Sequence, residues 1–132
     1  MSQFSNFKPI SIINPSSYIS ESAYIGLGCY IGANSTISSN AVIKNHCQIS
    51  LNASIGHDAI LEENVIVLPG ARVSGNVKIG EGTLIGANAF IYQGVTVGRE
   101  NVIDALTYLA NNVTDGMISS SRRTRTFKRV VS

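Results

Sequence analysis

From Ile13 onward, an aliphatic residue returns at every sixth position. The series is Ile13, Ile19, Ile25, Ile31, Ile37, Ile43, Ile49, Ile55, Leu61, Val67, Val73, Ile79, Ile85, Ile91, Val97, Ile103 and Leu109, with no insertion and no polar member. Four residues after these, the chain keeps small or β-branched side chains such as Cys29, Cys47, Ala59, Val77 and Thr83, with Asn101 the polar exception. Three residues after, Gly and Asn dominate: Gly28, Asn34, Asn40, Asn52, Asn64, Gly70, Asn76, Gly82, Asn88 and Gly94, with Ser16, Ser22, His46, Asp58, Glu100, Leu106 and Asn112 among the remainder. Gly and Asn adopt positive φ at least cost. The third series therefore predicts one sharp bend per hexad.

A helix needs a period near 3.6 and loses stability with this much interior Gly and Asn. Each hexad reads instead as a short strand followed by a corner. Three corners close a triangular coil of eighteen residues, and successive coils pair as parallel strands about 4.8 Å apart. Repeats of this class bury a continuous core by stacking. The pattern predicts an all-β chain: a parallel β-helix of five to six coils over residues 13–116. An N-terminal extension, 1–12, precedes it, and a short basic C-terminal tail, 117–132, follows it. The period does not fix the hand of the coil.

Outward positions of a solitary solenoid should be polar. Yet Val42, Leu51, Ile60, Ile66, Leu68, Leu84, Phe90, Tyr92 and Val102 fall where the repeat points outward. Ile66, Leu84 and Val102 are one coil apart and form an apolar column, which marks an interface.

Composition fits a core of small aliphatic groups. The chain is 132 residues long, 44% hydrophobic and 7% aromatic, with no Trp. No apolar run approaches a membrane span. The start, MSQFSNFKPISIINPSS, lacks a basic segment followed by an apolar one, so no signal peptide is expected. A soluble, cytoplasmic protein is the expectation, with no membrane partner. The net charge of +2 conceals an asymmetry. Arg122, Arg123, Arg125, Lys128 and Arg129 crowd the last eleven positions, which leaves residues 1–121 at −3. The tail reads as a solvated end or as a clamp for the phosphates of a small molecule. Nucleic acid is disfavoured, because the acidic body repels phosphate backbones.

Cys29 and Cys47 lie one coil apart and point inward, close enough for a disulfide. In a cytoplasmic protein they are expected as small core thiols. His46 occupies a bend position. His57 stands at the third position of its hexad, beside the bend, so its side chain should leave the solenoid. Position alone makes it an exposed surface histidine.

The repeat resembles the left-handed β-helix of the hexapeptide-repeat acyltransferases over residues 13 to about 116. The stretch IGHDAILEENVIVLPGARVSGNVKIGEGTLIGANAFI looks like the sugar acetyltransferases of the bacillosamine and sialic acid pathways. That resemblance implies a left-handed coil and a homotrimer with active sites between subunits. It also implies direct acetyl transfer from acetyl-CoA to a hydroxyl or amine of a sugar or nucleotide-sugar. His57 would be the general base and Asp58 its acidic neighbour, a task suited to an imidazole. Gly75, one coil beyond His57, would meet the thioester end of coenzyme A. Ala87 and Ala105 would lie along the pantetheine arm. No metal is expected, since the zinc-binding relatives of this fold use three histidines and this chain has two.

Three departures stand against the family pattern. Ser50 replaces an Asn seven residues before the histidine, the relatives' N-terminal βαβ domain has no counterpart in the twelve residues before the repeat, and their closing Gly-x-Pro-Ala-[Lys/Arg] is missing. A catalytically inactive trimeric scaffold or binding protein is therefore the alternative expectation.

Overall fold

The computed structural model describes residues 7–121 and residue 128. Among them, every element is a two-residue strand, eighteen in all, and all pairings are parallel. The strands form three sheets, the faces of a triangular prism. The first face holds Ile12–Ile13, Tyr30–Ile31, Gln48–Ile49, Ile66–Val67, Leu84–Ile85, Val102–Ile103 and Ile118–Ser119. The second holds Tyr18–Ile19, Thr36–Ile37, Ser54–Ile55, Arg72–Val73, Phe90–Ile91 and Tyr108–Leu109. The third holds Tyr24–Ile25, Val42–Ile43, Ile60–Leu61, Lys78–Ile79 and Thr96–Val97.

In each strand the second residue is the hexad aliphatic. From Ile31 to Ile103 these residues are at most 1% exposed. The small residues four positions later, Ala41, Ala53, Ala59, Ala71 and Val77 among them, fill the corners of the same core. The first residue of each strand faces out, so the outward columns are read directly from strand register. Ile66 opposes Leu84, and Leu84 opposes Val102. The first two are half-buried and Val102 is exposed.

The corners explain the third sequence series. The fourth corner residue returns its N–H to the carbonyl of the first, as in Ala53 to Ser50 and Ala59 to Gly56, both at 3.3 Å. The third residue takes positive φ, 57° at Asn52, 59° at Asp58 and 58° at Asn76. These are the marks of a type II turn, which also favours proline at its second position. Pro15 and Pro69 sit there. Across the described corners the second residue's N–H takes no part in the backbone ladder, so a proline there forfeits nothing.

At the third corner, inward polar atoms satisfy turn carbonyls. Cys29 Sγ donates to the Lys44 carbonyl at 3.1 Å, Cys47 Sγ to Glu62 at 3.0 Å, and Thr83 Oγ1 to Gly98 at 2.8 Å. Both cysteines are free thiols and buried. Burial pushes the Cys47 thiol up to about 12.

Two features depart from the sequence pattern. Ser16, Ser22 and Asn112 do not take the left-handed step; at the first of these, Asn14 Oδ1 accepts the Ser16 N–H at 2.9 Å instead. The solenoid also runs on to Ser119, past the position 116 expected from periodicity. Val97 bridges Val113, and Val102 pairs with Ile118, so this last coil has sixteen residues, not eighteen. The lost pair shifts the hexad out of step and erases its signal. Side chains complete the ladder there: Asn112 Oδ1 accepts from Thr96 N–H and Asp115 Oδ1 from Arg99 N–H, both at 2.8 Å. Arg122, Arg123, Arg125 and Arg129 lie outside the described residues; Lys128 is described and exposed.

Candidate functional site

Of the five candidate residues, four occupy the second position of a corner: His57, Gly75, Ala87 and Ala105. Asp58 follows His57 in the left-handed step. His57 and Gly75 stack on the corner after the second face, one coil apart, with Asn76 N–H donating to the His57 carbonyl at 2.8 Å. Ala87 and Ala105 stack on the corner after the first face, where Leu106 N–H donates to the Ala87 carbonyl at 2.9 Å. One chain therefore brings together His57, Asp58 and Gly75. It sets the two alanines on another edge of the prism, across the width of the second face.

The His57 ring lies flat over Gly75. A Cβ on Gly75 would collide with Nε2 and come within 2.7 Å of Cε1 and 2.9 Å of Cδ2. Below it, a Cβ on Gly56 would strike the Gly75 backbone, 2.9 Å from its Cα. Gly75 thus clears the space that the imidazole uses, and Gly56 lets the Gly75 backbone pack closely against its own coil. His57 Nδ1 stands 3.0 Å from Asp58 Oδ2. An ionised carboxylate only accepts, so Nδ1 donates to it, and in the neutral imidazole Nε2 keeps its lone pair in the plane of the ring. The side chains of His57 and Asp58 are 53% and 50% exposed, open to a reacting group. The Gly75 N–H has no acceptor among the described residues. An imidazole, a carboxylate hydrogen-bonded to it and a free backbone N–H thus lie within one coil step.

Ala87 and Ala105 are half-buried, and a Cβ on neighbouring Gly86 would meet the Ala105 nitrogen at 2.5 Å. Small residues leave this edge sterically open. Ser50, by contrast, is 8% exposed and folded into its turn. His46 is at a corner with φ 60° and packs over Gly28. Among the described residues no group of three His, Cys, Asp or Glu side chains could hold a metal. No helix among them is long and apolar enough to cross a membrane.

Sequence reasoning missed a groove on the second face, lined by Asn34, Asn52, Ser54, Arg72 and Phe90 among others, with Ala87 on its rim. A period of eighteen aligns its outward residues Thr36, Ser54, Arg72 and Phe90 in one column, but does not show that they enclose a groove.

Residues 76–110 match the hexapeptide repeat of succinyl-transferase. The acetyltransferase domain of PglB from Neisseria gonorrhoeae FA1090, solved in complex with acetyl coenzyme A, superposes with a TM-score of 0.83 at 33% identity, over 86% of this chain and 55% of that one. The chain is a hexapeptide-repeat left-handed β-helix. A β-helix of the same form occurs in a mutant of perosamine N-acetyltransferase from Caulobacter crescentus, solved with CoA and GDP-perosamine. There the TM-score is 0.82 at 23% identity, over 92% of this chain and 59% of that one. WeeI from Acinetobacter baumannii AYE gives 0.80 at 20% identity, over 83% and 54%. These last two likenesses speak for the fold. This β-helix spans little more than half the length of the solved chains it matches. No curated protein sequence matches it at a significant level.

Proposed function

We propose that the chain is an acetyltransferase that moves an acetyl group from acetyl-CoA to a hydroxyl or amine of a sugar or nucleotide-sugar. The observation that carries this reading is the His57 ring seated on Gly75, with Nδ1 held by Asp58. The acceptor's proton passes to Nε2 as its oxygen or nitrogen attacks the thioester carbonyl. The Gly75 N–H donates to the oxygen on which charge develops, the role of an oxyanion-hole donor. The coenzyme thiolate departs, and no enzyme-bound acyl group forms. The PglB domain, solved with acetyl coenzyme A, supports the choice of donor.

Gly75 and the alanine pair lie on different edges of one prism. A coenzyme that touches both is best placed between neighbouring chains, which favours a homotrimer assembled through the Ile66, Leu84 and Val102 column. Closed threefold symmetry suits one apolar stripe per subunit. The reading includes a cytoplasmic location and no membrane or nucleic-acid partner.

The test is His57→Ala, with coenzyme A release followed across a panel of amino and hydroxy sugars. A general base is worth about 10²- to 10⁴-fold, so turnover should fall by that factor while coenzyme affinity and assembly persist. Equal turnover by wild type and variant would remove His57 as the base, and no coenzyme A release by the wild type with any acceptor would leave the inactive scaffold as the better reading.

A further inference from the structure

The groove on the second face has a volume of about 870 Å³ and a consistent chemistry. One wall is a ladder of amides from Asn34, Asn52 and Asn88, each at a left-handed corner position with φ of 55°, 57° and 54°. The floor is Ser54 and Arg72, paired in register on adjacent strands. Phe90, on the strand after Arg72, closes the end. Its ring stacks on Tyr108 at 5.6 Å and 18°, and Tyr92 meets Tyr108 edge-on at 6.4 Å. All three rings are exposed, and form an aromatic platform in water.

Arg72 is the unusual member. Lys44 pairs with Glu62 at 2.6 Å and Arg99 with Glu81 at 3.1 Å, but Arg72 has no carboxylate partner among the described residues. Its one hydrogen bond there runs from Nη1 to Ser54 Oγ at 3.4 Å, a long contact. A guanidinium fork is thus left open in a groove of neutral donors, beside a planar apolar platform. Its complement is a phosphate attached to a flat ring. The strand Ser54–Ile55 runs directly into His57, three residues or at most about 10 Å further on. A ligand held at Arg72 can therefore reach the imidazole with its other end.

We propose that this groove is a nucleotide subsite, in which Arg72 takes a phosphate and Phe90 with Tyr108 carries the attached ring. It rests on the acyl-transfer reading only in that the ligand is one of the two substrates. A phosphate on a ring could belong to the donor, through the adenosine phosphates of coenzyme A, or to a nucleoside diphosphate on the acceptor.

Calorimetric titration of the full chain with coenzyme A, and separately with UDP and GDP, distinguishes them. Arg72→Gln should weaken one of these ligands about ten-fold or more and flatten its salt dependence. Arg72→Lys should recover part of the loss, and Phe90→Ala should weaken the same ligand. The affected ligand identifies the source. Unchanged affinity for all three ligands in Arg72→Gln would overturn the proposal. So would failure of the wild type to bind any of them, or a change in light scattering with binding unaltered, which would make Arg72 a subunit contact. His57→Ala run in parallel keeps the two readings apart: it should lose turnover and not affinity, whereas Arg72→Gln should lose affinity.

Discussion

The His57 imidazole and the Asp58 carboxylate meet at 3.0 Å although they belong to adjacent residues. In a strand, neighbouring side chains point to opposite sides. Here the left-handed step at Asp58, φ 59°, turns the carboxylate back toward the ring. The bend that closes the coil thus also holds the carboxylate against the imidazole.

Asp58→Asn separates these two duties. Asn accepts the left-handed step readily, so the corner should survive with an unchanged melting temperature. The charge on the partner of Nδ1 is lost, which removes about 1–1.5 kcal/mol of charge-assisted hydrogen bonding. Steady-state kinetics should show kcat reduced about ten-fold with KM little altered. A variant as active as wild type would remove Asp58 from the mechanism.

Gly75 should refuse even a methyl group. In Gly75→Ala the ring of His57 must swing off its seat, and kcat should fall by an order of magnitude or more. Gly75→Trp should go further and abolish coenzyme A binding in a titration while the oligomer persists. Retained coenzyme affinity in the Trp variant would misplace the thioester.

Leu106 is a leucine in a left-handed corner, φ 61°, with its side chain 66% exposed. The step costs a non-glycine residue about 1–2 kcal/mol, and little burial offsets it. Leu106→Asn should therefore stabilise the fold by about 1 kcal/mol, read as a rise of a few degrees in thermal melting. A fall in melting temperature would show that the leucine makes a compensating contact in the assembly.

The aliphatic hexads made the prism legible because a buried column tolerates no polar intruder, and its period survives without any knowledge of three-dimensional contacts. The corner at Leu106 was placed by the same count, against its own residue type. The last coil was not legible: Val113 and Ile118 carry the core onward, but two missing residues break the count. Stepping eighteen residues sets Gly75 beside His57, but the choice of His57, Asp58 and Gly75 came from the family resemblance, since position alone marked only a surface histidine. That Ala87 and Ala105 sit on a different edge follows from their spacing to His57, which is no multiple of a coil. Arg72 escaped notice because a groove is made by the relative heights of outward side chains, and no period records height.

Leu84 and Val102 oppose each other on the first face. A charge buried in a subunit interface without a partner is strongly unfavourable. Leu84→Glu or Val102→Glu should convert the proposed trimer to monomer at micromolar concentration by light scattering. An unaltered mass would place the interface elsewhere.

Cys47 makes stability sensitive to alkali. Its folded-state value, about 12, exceeds the ordinary 9.0. The unfolded chain therefore releases this proton first as pH rises, and the folded state binds more protons across that window. Its contribution is complete below pH 9 and is lost between about 9 and 12, so denaturant midpoints should fall over that range and fall less in Cys47→Ala. In the native protein at pH 8 the thiol should resist a disulfide reagent that reacts at once after unfolding.

Each full coil advances the axis by one strand spacing, about 4.8 Å, and so the prism is a ruler. His57 and Gly75 stand one division apart on one edge; Ala87 and Ala105 stand one division apart on another. An eighteen-residue insertion would lengthen the scale by one mark and leave every edge aligned. A six-residue insertion between His57 and Gly75 would instead rotate everything downstream by a third of a revolution and carry the glycine away from the imidazole. Lengths along this protein are set by counting whole coils.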